Sequence, residues 1–360
     1  MSGRNRWMEF SDILPRAVFL SVLAAFGLTG CKSLGPQDIE SKRTEFNEAI
    51  QRTDLQQVLL NIVRQRFSDP VMFLEITAIS SSMTRTSNAN LGAMLTSLGP
   101  NTSSGGIGGA LTESPMIFYA PNSGERFVRQ ILTPVDLKTI SLLLQSGWSV
   151  ERVLLIAVES IGDLNNTTAP HVEFASVARQ LRVLQRKNLL AFAVERDDTN
   201  GDRLLIIPKL GAHNEAAYLD VCRLLNQKPD GNPIRLQLGI GNSLAGLPAT
   251  AIVTRSLYSS FYFLGNGVNL PARDLADRRG QERELAGTVF DPAQGPLFEV
   301  KNSHDEPKSA AVKIKYRNNW YFIQESDQDS RTTLALISML LMLQSGDVSR
   351  ITPLVSLSPR

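Results

Sequence analysis

The groups in this 360-residue chain whose types could do chemistry are three histidines, two cysteines and one tight cluster of carboxylates. His171, His213 and His304 each stand alone, at no metal-ligand spacing and beside no nucleophile. Ser326 and Ser330 lack the glycine-flanked elbow of a hydrolase nucleophile. The run Glu325-Ser326-Asp327-Gln328-Asp329-Ser330 has the oxygen ligands of a calcium loop but neither its central glycine nor its later bidentate Glu. Acidic residues and a serine ahead of an apolar run are what a helix N-terminus favours, so this cluster reads as a cap. Gly239-Ile240-Gly241 is followed next by Gly246, the wrong spacing for a dinucleotide fingerprint, and no phosphate-loop Lys-Ser/Thr pair occurs. Cys222 sits in an apolar stripe at helical spacing and reads as a buried, inert thiol. No catalytic, cofactor-binding or metal-ligating residue is therefore expected, and the sequence favours a non-enzyme.

The remaining cysteine has a different context. Arg4, Arg6 and Arg16 precede the uncharged run Ala17 to Gly27, which is long enough for a secretory core and short for a bilayer span. Leu28-Thr29-Gly30-Cys31 closes it. This order resembles the lipobox of bacterial lipoproteins. The resemblance implies cleavage between Gly30 and Cys31, diacylation of the Cys31 thiol and acylation of the new amine, two or three chains that together anchor stably. With Lys32 rather than Asp next, it also implies the outer membrane, with most of the chain in the periplasm. The Leu59-Leu60-Asn61-Ile62-Val63-Arg64 segment and the Gly/Ser-rich stretch behind it resemble lipoproteins of uncharacterised function, which implies no residue role beyond the lipobox.

Composition agrees with an exported globular chain. Removing residues 1–30 takes away three Arg, one Glu and one Asp, so the net charge falls from +2 to +1. That balance lacks the basic excess of a nucleic-acid protein. With Cys31 committed to lipid, Cys222 has no intramolecular partner even in an oxidising compartment.

The periodicities predict an α+β fold. Residues 31–44 read as the lipidated cysteine and a polar tether, and 45–125 as a helix, a strand and a low-complexity segment. Within it, Glu45 to Arg66 is helical, with a possible break near Arg52, and Val71 to Ser80 alternates as a strand does. Thr86 to Thr112 is 27 residues without a charge; its composition favours a loop, and Leu91, Met94, Leu95 and Leu98 have helical rather than alternating spacing. Residues 126–210 read as three helices and a hairpin around Asn200-Gly201, an order that resembles winged-helix proteins. Arg179, Arg182, Arg186 and Lys187 on the third helix would be the DNA-facing residues of such a fold, but an exported chain near neutrality makes them a solvated face. Residues 211–360 read as a C-terminal α+β unit: a hairpin around Arg317-Asn318-Asn319, the apolar helix Thr332 to Leu343, and a possible edge strand Ile351 to Leu357.

The function expected from these readings is a membrane-anchored lipoprotein with a structural, binding or assembly role, partnered by another protein or by its own copies and by no nucleic acid. Two alternatives stay open. One is a pore-forming oligomer that inserts the Gly/Ser-rich segment as a hairpin, for which Ile76 to Leu95 and Ser104 to Tyr119 are long enough. The other is a periplasmic hydrolase whose site converges from distant positions.

Overall fold

The computed structural model describes residues 36–94, 102–166, 172–197, 201–239, 249–277, 290–291 and 295–344. Gly30, Cys31, His171, the expected turn at Pro100-Asn101 and the expected strand Ile351 to Leu357 lie outside them. The chain divides into two compact units, Met1–Arg52 and Thr53–Arg360. The described part of the first is helical throughout.

Helix α1 (Pro36–Arg66) starts earlier than expected and has no break at Arg52. The residues read as a tether form its first turns, because nothing between Gln37 and Thr44 is Gly or Pro and helix formers such as Glu40, Lys42 and Arg43 dominate. Val58, Leu59, Ile62 and Val63 recur at helical spacing and are fully buried. The chain then turns through Ser68, which has positive φ, and runs into β1 (Phe73–Met94) and β2 (Thr102–Asn122).

Three short helices follow: α2 (Glu125–Leu132), α3 (Leu137–Gln145) and α4 (Val150–Ala157). Asp136 and Ser149 cap the last two by accepting from the backbone N–H of Thr139 and Arg152. Gly147, at φ 93°, supplies the left-handed turn between them. A minimal hairpin, β3 (Val158–Ile161) and β4 (Leu164–Asn165), precedes α5 (Val172–Arg186). Then come β5 (Leu190–Glu195), β6 (Arg203–Pro208), α6 (Ala216–Leu224), β7 (Ile234–Leu238), β8 (Thr250–Thr254), α7 (Leu257–Gly265) and α8 (Ala272–Asp277). The chain continues through the two-residue strands β9 (Phe290–Asp291) and β10 (Gly295–Pro296), then β11 (Lys301–Ser303), β12 (Ala310–Tyr316), β13 (Asn319–Gln324) and α9 (Gln328–Gln344).

The fold class is α+β. Six strands form one mixed sheet in the order β4-β3-β8-β7-β6-β5, with β7 and β8 parallel and the other pairs antiparallel. This sheet takes strands from both sides of residue 210, so the segments 126–210 and 211–360 share it. A three-stranded sheet, β11-β13-β12, contains the expected second hairpin. The buried residues of α1, α3 to α7, α9 and both sheets form one apolar core.

One buried cation ties this core together. The Arg255 guanidinium is 3% exposed and donates to the carbonyls of Leu155 (3.0 Å), Val158 (2.7 Å) and Asn166, with Phe263 stacked 4.0 Å from it. Burial pushes its pKa down to about 10, so it stays charged at neutral pH. Asn166 donates in turn to the carbonyls of Leu155 and Val158, both at 2.8 Å. Together they satisfy the carbonyls left where α4 runs directly into β3.

Candidate functional site

Among the described residues, those whose types could do chemistry do not converge. His213 and His304 are exposed, and no group of three or more His, Cys, Asp or Glu able to hold a metal exists among the described residues. Cys222 is 1% exposed, and burial raises its pKa. The carboxylate cluster does cap α9: Asp327 accepts from the Ser330 amide (3.0 Å) and its hydroxyl (2.7 Å), and Ser330 Oγ accepts from the Glu299 N–H. Of the cations on and just after α5, Arg182 donates to Gln185 and Lys187 pairs with Glu215 at 2.6 Å.

The exceptional feature is the segment whose composition suggests a loop. Phe73–Met94 and Thr102–Asn122 pair as one antiparallel hairpin, residue for residue from Phe73↔Asn122 to Met94↔Thr102, with one bulge between Ile76 and Ala78. Twenty-two residues at the usual strand rise span on the order of 70 Å. Leu91 and Met94 are strand residues, which overturns the reading from their helical spacing; pairing of the two halves decides the conformation. Among the described residues neither strand pairs with any other, so both outer edges carry unpaired backbone groups.

The root of the hairpin is built from α1. Asn61, fully buried, donates from Nδ2 to the Met72 carbonyl and accepts the Met72 N–H at Oδ1, both at 2.8 Å. One turn earlier, Gln57 donates to the Leu74 carbonyl (3.0 Å) and accepts the Leu74 N–H (2.7 Å). Residues four apart on a helix face the same way, and Met72 and Leu74 are two apart on an extended chain. Two side-chain amides thus take the place of a neighbouring strand for the first residues of β1. Phe73 between them is 6% exposed, with its ring 6.0 Å from Phe127 and 5.9 Å from Phe261. At the other strand, Gly124 at φ 95° makes the turn from β2 into α2, a conformation unfavourable for other residues.

Beyond the root the clamp ends and apolar residues face solvent. Met116 is 59%, Phe118 47% and Tyr119 58% exposed, beside Leu74 at 43%. By register Met116 and Phe118 lie on one face of this part of the hairpin and Tyr119 and Leu74 on the other, so both of its faces present apolar side chains to solvent. Further along, charges stop: Arg85 and Glu113, on diagonal register positions, bound the run Thr86–Thr112. Sequence reasoning missed Gln57 and Asn61, because their partners are backbone groups that carry no residue-type signal. The apolar helix containing Asn61 was visible, and a buried Asn within it was the available sign.

The chain matches no protein-family model, no curated protein and no solved structure. Among the described residues no helix is long and apolar enough to cross a membrane.

Proposed function

We propose that this chain is a lipid-anchored assembly subunit of a bacterial envelope, tethered through Cys31, whose copies pair hairpin to hairpin into a membrane-inserted β-barrel. The observation that carries the reading is the hairpin: its two charge-free arms, Thr86 to Met94 and Thr102 to Thr112, pair throughout and leave both outer edges open. A membrane-crossing strand needs about 9–11 residues, and these arms have that length. A lone two-stranded hairpin is marginal in water, and in hydrocarbon its open edges would each cost several kcal/mol per unpaired group. Edge-to-edge pairing, β1 of one copy with β2 of the next, removes both edges at once when the ring closes. Each copy gives two strands and the smallest membrane barrels have about eight, so at least about four copies are required. The part of the hairpin between Arg85 and the clamp, with its exposed Met116, Phe118 and Tyr119, would continue the same pairing outside the bilayer.

The lipobox supports the address. Outer-membrane placement, with the body of the chain in the periplasm, follows from the same resemblance. Native mass spectrometry of the detergent-extracted, lipidated protein tests the assembly. Expected is a ring of at least four copies that becomes monomeric when Thr86–Thr112 is replaced by a two-residue turn. A monomer before that deletion, or a ring unchanged by it, contradicts the proposal. For the anchor, Cys31→Ser should give an unprocessed precursor that takes up no labelled palmitate.

A further inference from the structure

The register divides the hairpin residues by parity. In an antiparallel pair, partnered residues share a face, and alternate residues share it along each strand. The pairs Thr84↔Thr112, Thr86↔Ala110, Asn88↔Gly108, Asn90↔Gly106 and Gly92↔Ser104 therefore lie on one face. The pairs Arg85↔Leu111, Ala89↔Ile107, Leu91↔Gly105 and Ala93↔Ser103 lie on the other. Within the arms Thr86–Met94 and Thr102–Thr112 the first face holds both carboxamides and four of the six hydroxyl residues, with Met94 and Ala110, and the second holds Ala89, Leu91, Ala93, Ile107 and Leu111, with Ser87 and Ser103. Parity divided this way is the pattern of a barrel strand, apolar towards lipid and polar towards the lumen. The composition of the segment hides it, since Gly and Ser occur on both faces.

We infer that the even-numbered positions of this hairpin line a water-filled lumen with no charge along its membrane length, so that the assembled barrel passes small hydrophilic solutes without selecting them by charge sign. The inference rests on the barrel reading above and adds what the barrel conducts. Pores select among ions by rings of fixed charge, and one residue per subunit is multiplied into a ring by the assembly. Here the even face carries no charge from Ser80 to Met94 or from Thr102 to Met116. Arg85 and Glu113 both belong to the odd face, at the boundary where charged residues meet lipid headgroups and water. Toward the root, the bulge between Ile76 and Ala78 shifts β1 parity by one, which brings Glu75, paired with Ala120, to the even face. Glu75 lies nine residues from Thr84 in sequence, roughly 30 Å at strand rise, and the Debye length at 0.15 M salt is about 8 Å. It therefore leaves the membrane portion of the lumen uncharged in its effect on ions.

The test is reconstitution of the lipidated protein into planar bilayers of phosphatidylethanolamine and phosphatidylglycerol under a tenfold KCl gradient held above 0.1 M. The wild type should conduct with a reversal potential close to zero. Asn88→Asp should shift it toward the potassium equilibrium potential and Asn88→Lys toward that of chloride, with similar conductance. Ala89→Asp, one residue away on the odd face, should reduce the frequency of channel insertion at least tenfold while the body melts as before. A conducting wild type that is strongly selective, or one in which Asn88→Asp and Asn88→Lys have no effect while Ala89→Asp inserts and shifts the potential, overturns the lumen assignment and leaves the barrel standing. A wild type that forms the ring but does not conduct also overturns the open lumen. A protein that neither forms a ring nor conducts contradicts the barrel itself.

Discussion

Two hairpins of this molecule have opposite relations to their surroundings. The β5–β6 hairpin has six residues on each strand, and β6 pairs onward with β7 inside the six-stranded sheet. Its Leu204 and Ile206 are buried, and Arg203 is held by Asp197 (2.7 Å) and the Gln237 side chain (2.9 Å). The β1–β2 hairpin is more than three times as long and, among the described residues, pairs only with itself. Short strands with a hydrophobic face become stable by joining a sheet that already has a core. A long hairpin with two free edges has to find its stabilising environment elsewhere, and its residue types specify what that environment is. The contrast lies between a hairpin that completes the body and one that the body holds out at its root.

The largest separation of the two regions comes from the core. Phe261→Ala removes a fully buried ring that also touches Phe73, and should cost about 3–5 kcal/mol in denaturant unfolding of the body. Alkali acts on the body as well. Tyr218 and Tyr321 are buried, and their phenol pKa values are pushed up to about 12 by burial, against 10.0 for the free group. Because the folded values are the higher ones, this stability is intact below pH 10 and is lost as pH rises toward 12, at about 1.4 kcal/mol per pH unit for each group. Stability curves with Tyr218→Phe and Tyr321→Phe would flatten that decline. At the clamp, Asn61→Ala leaves the Met72 N–H without a partner and its carbonyl with Arg64 alone, at 3.4 Å, and should cost about 1–3 kcal/mol. Hydrogen exchange should then rise at Met72 and remain slow at Leu204 and Leu236. The smallest effect on the body is predicted for the hairpin arm: Ala110→Pro should change the unfolding free energy of the body by less than about 0.5 kcal/mol and abolish the proposed oligomer.

Elements with a one-sided apolar pattern were legible in the sequence. The capping cluster Glu325–Ser330, both short hairpins and the apolar helix around Leu336 follow from local spacing and from turn chemistry that acts within a few residues. What local spacing missed is non-local. Strands of Gly, Ser, Thr and Asn carry little intrinsic β signal, so Thr86–Met94 and Thr102–Thr112 became visible as strands only through their pairing with each other. The join of β3 to β8 and of β6 to β7 likewise depends on contacts far apart in sequence, and on Arg255 reaching back to Leu155 and Asn166. The clamp by Gln57 and Asn61 links side chains to backbone, and no pattern of residue types reports such a bond.

The account turns on whether Thr86–Thr112 lies in a membrane as paired strands. Single cysteines placed at each position, in the full chain with Cys222→Ser, can be labelled in membranes with a water-soluble maleimide. Labelling that alternates, with positions 88 and 90 and their partners 106 and 108 reactive and positions 89, 91 and 107 protected, is the predicted result. Uniform labelling along both arms would contradict it.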